Sequence, residues 1–223
     1  MSKECPVCGT PNVDTQDWRE PGDPPGLIYY RCPKCGEFIL CKSEIADVRN
    51  LLDRTKFGPA ILSHAIWKRQ KPYNRPRFTY ETVFWILKNE ILPTLQEQAD
   101  NVIRWLGENL PGPGENLRAN RQLLQSVMGA KNDAGVDLVL EHLFKDELLE
   151  ATMETLTLSF DGWKRFEEMK RSVSETRKAF MAMKFNDPEI EGFFDLCLEP
   201  AVEKTGFRLV HIGRNPKEGS IDE

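Results

Sequence analysis

The stretch ECPVCGT (Glu4–Thr10) returns as RCPKCGE (Arg31–Glu37), so C-P-x-C-G occurs twice and sets out Cys5, Cys8, Cys32 and Cys35. Two residues between cysteines let both sulfurs of one turn face a single ion. Gly9 and Gly36 suit the bend just after the second sulfur, where a positive φ is often needed. Four thiolates hold a tetrahedral ion and leave no position open for water, so the site is structural. Zinc is the expected ion; iron, a disulfide pair or no bound group at all are the alternatives for the same four residues. GLIYYRC (Gly26–Cys32) and GEFILC (Gly36–Cys41) predict a hairpin with the second knuckle at its turn. Cys41 then reads as a small buried hydrophobe on that hairpin, or as a fifth nearby thiol.

The doubled knuckle resembles the zinc-ribbon family over roughly residues 3–41. A module of this size buries too little apolar surface to fold alone, so metal binding is expected to supply much of its folding free energy. Such modules bind nucleic acid, bind protein, or staple an N-terminus.

The whole chain has 223 residues, 40% of them hydrophobic and 29% charged, with a formal net charge of -5. That is a core-forming mixture, with no apolar run near the ~18 residues of a membrane span. The N-terminus lacks the apolar stretch of a secretory signal. A cytoplasmic protein with reduced cysteines is the expectation, with no membrane partner. Charge is uneven: between Asp53 and Glu81 there is no acid, while Arg54, Lys56, Lys68, Arg69, Lys71, Arg75 and Arg77 all fall there. Trp67, Tyr73, Phe78 and Tyr80 interleave with these cations, a pattern that grips single strands by stacking and charge. Lys68, Arg69, Lys71, Arg75 and Arg77 are thus candidate nucleic-acid contacts; the competing reading is a solvated loop whose aromatics plug the core. His64 reads as a surface or core histidine, not a ligand.

The middle of the chain is helical by pattern. Ser43 is expected to cap a helix bearing Ile45, Val48, Leu51 and Leu52. A short helix over KFGPAILSHAIWKRQ (Lys56–Gln70) and an amphipathic one over 94–110 follow; Pro93 either starts the latter or kinks a longer helix from near Tyr80. ENLRANRQLLQSVMGA (Glu115–Ala130) and GVDLVLEHLFKDELLEA (Gly135–Ala151) read as two helices, METLTLSF (Met153–Phe160) as a strand, and DGWKRFEEMKRS (Asp161–Ser172) as a closing helix. That order, with a strand leading into x-x-G-W, resembles the winged-helix domains over about 115–171. Reading DNA would need a basic second helix, because phosphate contacts supply most of the affinity. Here Asp137, Glu141, Asp146, Glu147, Glu150 and Glu154 stand against Lys145, which favours a scaffold or partner-binding module.

KAFMAM (Lys178–Met183), the loop KFNDPEI, a helix with Ile190, Phe193, Phe194, Cys197, Ala201 and Val202 facing inward, a cap at Gly206, and the strand FRLVHI (Phe207–Ile212) make a βαβ unit with parallel strands. The run AFMAM (Ala179–Met183), Phe185, Pro200–Glu203, Gly206, Phe207 and Ile221–Glu223 resembles the TIR-like domains related to nucleoside 2-deoxyribosyltransferases. The resemblance covers about 177–223 and implies cleavage of N-glycosidic bonds in nucleosides, nucleotides or NAD. A carboxylate would stand against the developing positive charge at the ribosyl carbon. Met183, Lys184, Phe185 and Asp222 would line one wall of the nucleotide pocket. In that family the catalytic Glu follows a third strand, which this sequence does not reach, so the chain as given is expected to be inactive. Bacterial anti-phage defence is a role the resemblance implies, and a bare two-stranded sheet favours homo-oligomers.

The expected fold is therefore a multi-module α+β chain. It comprises a zinc ribbon with a β-hairpin (1–42), a helical stretch (43–114), a winged-helix-like segment (115–173), and an incomplete α/β start of Rossmann or flavodoxin type (177–223). The expected function is a regulatory half joined to the start of a nucleotide-cleaving effector. A nucleic-acid-binding regulator or an interaction adaptor is the alternative.

Overall fold

The computed structural model describes residues 4–70, 75–152, 155–176, 178–181 and 192–211. The protein is α+β, and its contacts divide it into two units, Met1–Arg165 and Phe166–Glu223.

The first unit opens with a four-stranded sheet in the order β1-β2-β3-β4. Strands β1 (Asp14–Trp18), β2 (Leu27–Cys32) and β3 (Gly36–Cys41) are antiparallel, and β4 (Arg77–Phe78) runs parallel to β3. The predicted hairpin is present, with Cys32 opposite Gly36 across the knuckle. Side chains alternate across it with period two. Tyr30, Phe38 and Leu40 enter one core with Val48, Leu52, Leu62, Ile66, Val83 and Ile86. Leu27, Tyr29 and Ile39 form a second cluster with Trp18 and Cys41 on the other side. The facing rings of Tyr30 and Phe38 stack at 5.1 Å. β1 escaped the sequence reading because DTQDW carries no apolar alternation and none of its five residues is buried.

Helices α1 (Ile45–Arg54), α2 (Gly58–Arg69) and α3 (Tyr80–Asn89) supply the other side of the larger core. Ser43 does not cap α1: a 3-10 turn at Lys42–Glu44 intervenes, and the Ser43 hydroxyl lies 3.1 Å from Cys41 Sγ instead. α4 (Leu95–Asn109) is separate from α3. Thr94 and Glu97 close its start as a capping box, so Pro93 precedes the helix and kinks nothing.

A three-stranded sheet follows, in the order β5-β7-β6, from β5 (Leu117–Arg118), β6 (Leu149–Thr152) and β7 (Thr155–Leu158). Two expectations are corrected here. The helix read over 115–130 shortens to α5 (Arg121–Met128), because Asn120 accepts from the Leu123 N–H at 2.7 Å as its N-cap. Leu117 and Arg118 pair instead with β7. The helix read over 135–151 is α6 (Asp133–Lys145), after which Leu149–Thr152 is a strand. Glu147 takes φ 55, and the Leu148 N–H returns to Leu143 O at 3.0 Å, a left-handed helix stop usually made by glycine. With no glycine there, the sequence carries no stop signal. α7 (Phe160–Thr176) starts where the Ser159 hydroxyl accepts from Gly162 N–H at 3.0 Å. No helix among the described residues is long and apolar enough to cross a membrane.

The second unit contains β8 (Lys178–Met181) and β9 (Arg208–His211), paired in parallel as expected for βαβ. Between them a π-helical turn (Phe194–Leu198) leads into α8 (Glu199–Glu203), and Gly206 follows at φ +82 with its N–H on Glu203 O. The inward face is narrower than the sequence suggests. Phe194 is buried and Val202 half-buried, whereas Phe193, Cys197 and Ala201 are exposed. The π turn adds a residue to the repeat and rotates those side chains off the face that α-helical spacing predicts. Ile190 lies outside the described residues.

Candidate metal centre

Each knuckle is a tight turn whose shape its sequence fixes. In the first, Cys5 N–H bonds Thr10 O and Gly9 N–H bonds Cys5 O, at 2.9 and 3.0 Å. Gly9 and Gly36 take φ +74 and +82, as the sequence implies. In the second, Cys35 N–H points at Cys32 Sγ, 3.4 Å away. The ligand atoms of Cys5, Cys8, Cys32 and Cys35 all lie within 4.8 Å of one another. Cys5 and Cys35 sulfurs are 3.9 Å apart, Cys8 and Cys32 sulfurs 3.5 Å. A tetrahedral ion with metal–sulfur bonds of about 2.3 Å separates its sulfurs by about 3.8 Å, so this cluster fits such an ion. No disulfide joins any of the four.

Electrostatics point the same way. Burial, then the Cys32 hydrogen bond, pushes the Cys35 thiol well above its ordinary value. Hydrogen bonds from Cys32 and Cys35 hold the Cys8 thiol low. The four neighbouring thiols therefore cannot all ionise unaided, and a cation among them would make the full set of thiolates favourable. Cys41 is no part of the cluster; it packs half-buried with Leu27, Tyr29 and Ile39.

A hydrogen-bonded shell surrounds the sulfurs, and most of it comes from α2 and α5. The Ser63 hydroxyl lies 3.2 Å from Cys35 Sγ and 2.6 Å from the Ser126 hydroxyl. Its neighbour His64 holds Ser126 O through Nδ1 at 2.8 Å, so Nδ1 carries the proton. Burial keeps the His64 pKa below its ordinary value. Gln70 clamps the second knuckle from outside: its Nε2 donates to Cys35 O and its Oε1 accepts from Glu37 N–H, both at 3.1 Å. Thr10 Oγ1 sits 3.1 Å from Cys8 Sγ. Sequence reasoning missed Ser63, Gln70 and Ser126, because nothing in the chain's order says that 63 and 126 meet at 35. His64 is a core histidine, as read.

The basic window is held by the chain's own acids. Lys68 lies 3.7 Å from Glu90, and Arg69 pairs with the same carboxylate. Arg75 bonds Glu37 at 3.3 Å, with its guanidinium 5.2 and 5.0 Å from the ring centres of Trp18 and Tyr29. Arg77 pairs with Asp23 and Glu20. Of the interleaved aromatics, Phe78 is buried in the larger core and Trp67 stacks on His64. Lys71 and Tyr73, like Met183, Lys184, Phe185 and Asp222, lie outside the described residues.

A scan against protein-family models and searches of curated proteins and of solved structures found no match to this chain.

Proposed function

We propose that the chain is a zinc-stabilised regulatory module joined to the opening of a nucleotide-handling α/β domain. The observation that carries the first half is the four-sulfur cluster, whose all-thiolate donor set and closed tetrahedron suit a structural zinc. The order α4-β5-α5-α6-β6-β7, with β5 pairing on β7, supports a winged helix that begins with α4. Its third helix is not built to read phosphates: α6 carries Asp133, Asp137 and Glu141, and Arg121 is already paired with Asp137. A partner-binding or ligand-sensing role follows from that sign of charge.

For the second half, the parallel β8–β9 pair supports a βαβ opening, and the resemblance of residues 177–223 supplies the chemistry: N-glycosidic bonds of nucleosides, nucleotides or NAD. Saturation-transfer NMR of the zinc-loaded protein with NAD and a nucleoside panel tests this reading. Transfer to ribose and base protons that drops on Phe185→Ala is the expected result. No transfer from any compound at millimolar concentration would remove the nucleotide assignment and leave the zinc module standing.

A further inference from the structure

The first unit contains a second candidate site that the sequence did not announce. A cleft of about 1010 Å³ runs between α2, the segment before α4, α4 itself and the start of α5. That volume is at the upper end of ordinary small-molecule sites. Gly36 and Gln70 line one end, so the cleft reaches the outside of the second knuckle.

Its wall holds an unusual acceptor. His64 is 5% exposed and lines the cleft. Nδ1 is committed to Ser126 O, and among the described residues Nε2 has no hydrogen-bond partner. A neutral imidazole with its proton on Nδ1 therefore presents a bare acceptor to the cleft. Two indoles also line the cleft. Trp67 stacks on the His64 ring at 5.8 Å, and Trp105 is buried along α4.

The charges of the cleft sort into engaged and available. Glu97 is closed into the capping box with Thr94, Asp100 is gripped by Arg165 at 2.9 Å, and Lys68 leans on Glu90. Arg104 is half-buried and makes one neutral hydrogen bond, to Asn101 Oδ1 at 3.3 Å. Among the described residues no carboxylate lies within ion-pair distance of it, and Glu108, one turn on, is exposed. A guanidinium has five donors in a planar fork that matches a phosphate.

We propose that this cleft binds a nucleoside monophosphate, its base against Trp67 with an N–H directed to His64 Nε2 and its phosphate on Arg104. A base supplies the flat face and the donor, and the phosphate supplies the anion that Arg104 lacks. The inference does not rest on the nucleotide reading of the second unit, which concerns other residues.

The test is calorimetric titration of the zinc-loaded full chain with AMP, GMP, CMP and UMP, alongside the parent nucleosides and ribose 5-phosphate. At least one monophosphate should bind one-to-one. Its nucleoside and ribose 5-phosphate should each be about tenfold weaker or more, the scale of one charge-assisted contact. Arg104→Gln should weaken binding by a similar factor, with partial recovery in Arg104→Lys. In the unaltered protein, the indole N–H signals of Trp67 and Trp105 should shift on binding while that of Trp18 stays. Failure of all four monophosphates at millimolar concentration overturns the proposal. So does a nucleoside or ribose 5-phosphate binding as tightly as the monophosphate. Binding indifferent to Arg104→Gln, or a shift at Trp18 without one at Trp67, places the ligand elsewhere and overturns the site while leaving the second unit's assignment untouched.

Discussion

The knuckled sheet of the first unit and the β8–β9 pair of the second are both too small to stand by hydrophobic area alone, and they are supported very differently. β2 and β3 have cover on both faces: three helices and a four-sulfur cluster on one, Leu27, Tyr29 and Ile39 with Trp18 on the other. In the second unit, the described residues contribute only Phe166, Met169, Phe194 and Leu209 to the buried apolar set. A parallel pair normally needs cover on both faces. A small sheet gains stability from what it is tied to, and in the first unit the ties are the helices packed on it and the four sulfurs gathered at its knuckles.

Cutting the strongest tie is the sharpest way to test that contrast. Changing Cys5, Cys8, Cys32 and Cys35 to Ser should abolish metal binding and cost the first unit on the order of several kcal/mol, since the ion's binding energy is folding energy. Elemental analysis should find about one zinc per chain before the change and none after. A chelator should lower the melting temperature of the unaltered protein and leave the quadruple variant unmoved. Less than about half an equivalent of zinc in the unaltered protein would break the comparison at its root.

Next in size is a packing test. A Cβ on Gly162 would sit 2.1 Å from the Leu148 carbonyl oxygen, a backbone atom that cannot step aside. Gly162→Ala should therefore destabilise the first unit by about 2–4 kcal/mol in urea unfolding. At Gly135 the nearest atoms are 3.5 Å away, so Gly135→Ala should be neutral or mildly stabilising. Equal effects at the two glycines would show that α7 does not pack on the β6 entry as described.

Ser63→Ala removes the hydroxyl between Cys35 Sγ and Ser126, and should cost about 1–2 kcal/mol. The decisive readout is zinc: release to a competing chelator should be faster, because the hydrogen bond to the thiolate is gone. Thr10→Ala, at the half-exposed Cys8, should change release less. The reverse order would move the metal's support from the helical layer to the first knuckle.

The smallest effect is the pH response of His64. Its folded pKa lies below its ordinary value because burial disfavours the charged ring. Folding therefore prefers the neutral form. Its contribution is complete above about pH 6.5 and is lost as pH falls through the lower folded value. His64→Gln should flatten stability between pH 7 and 5, compared at fixed zinc occupancy. An unchanged slope would mean that another group governs that window.

How much of this could be read in advance differs by feature. The four-cysteine cluster was legible because two residues of spacing and a following glycine are local geometry. So were the β2–β3 hairpin and the closing helix α7, where alternation and helical periodicity run unbroken. The stop of α6 at Glu147 was not, because a left-handed residue other than glycine leaves no mark in composition. The exposure of Phe193 and Cys197 was hidden by a π turn that shifts the helical phase. In the basic window, Lys68, Arg69, Arg75 and Arg77 find acids at Glu20, Asp23, Glu37 and Glu90, which adjacency in sequence does not show.

By itself, then, the sequence determined the four-cysteine cluster, the hairpin and the parallel strand order of β8 and β9, since spacing and periodicity are properties of neighbouring residues. The tertiary structure decided what surrounds them. It brought Ser63 and Ser126 to Cys35, paired Lys68, Arg69, Arg75 and Arg77 with the chain's own carboxylates, and set Arg104 and His64 in the lining of one cleft. Those outcomes depend on contacts between residues far apart in the chain, where packing and charge pairing are settled only once the helices close over the sheet.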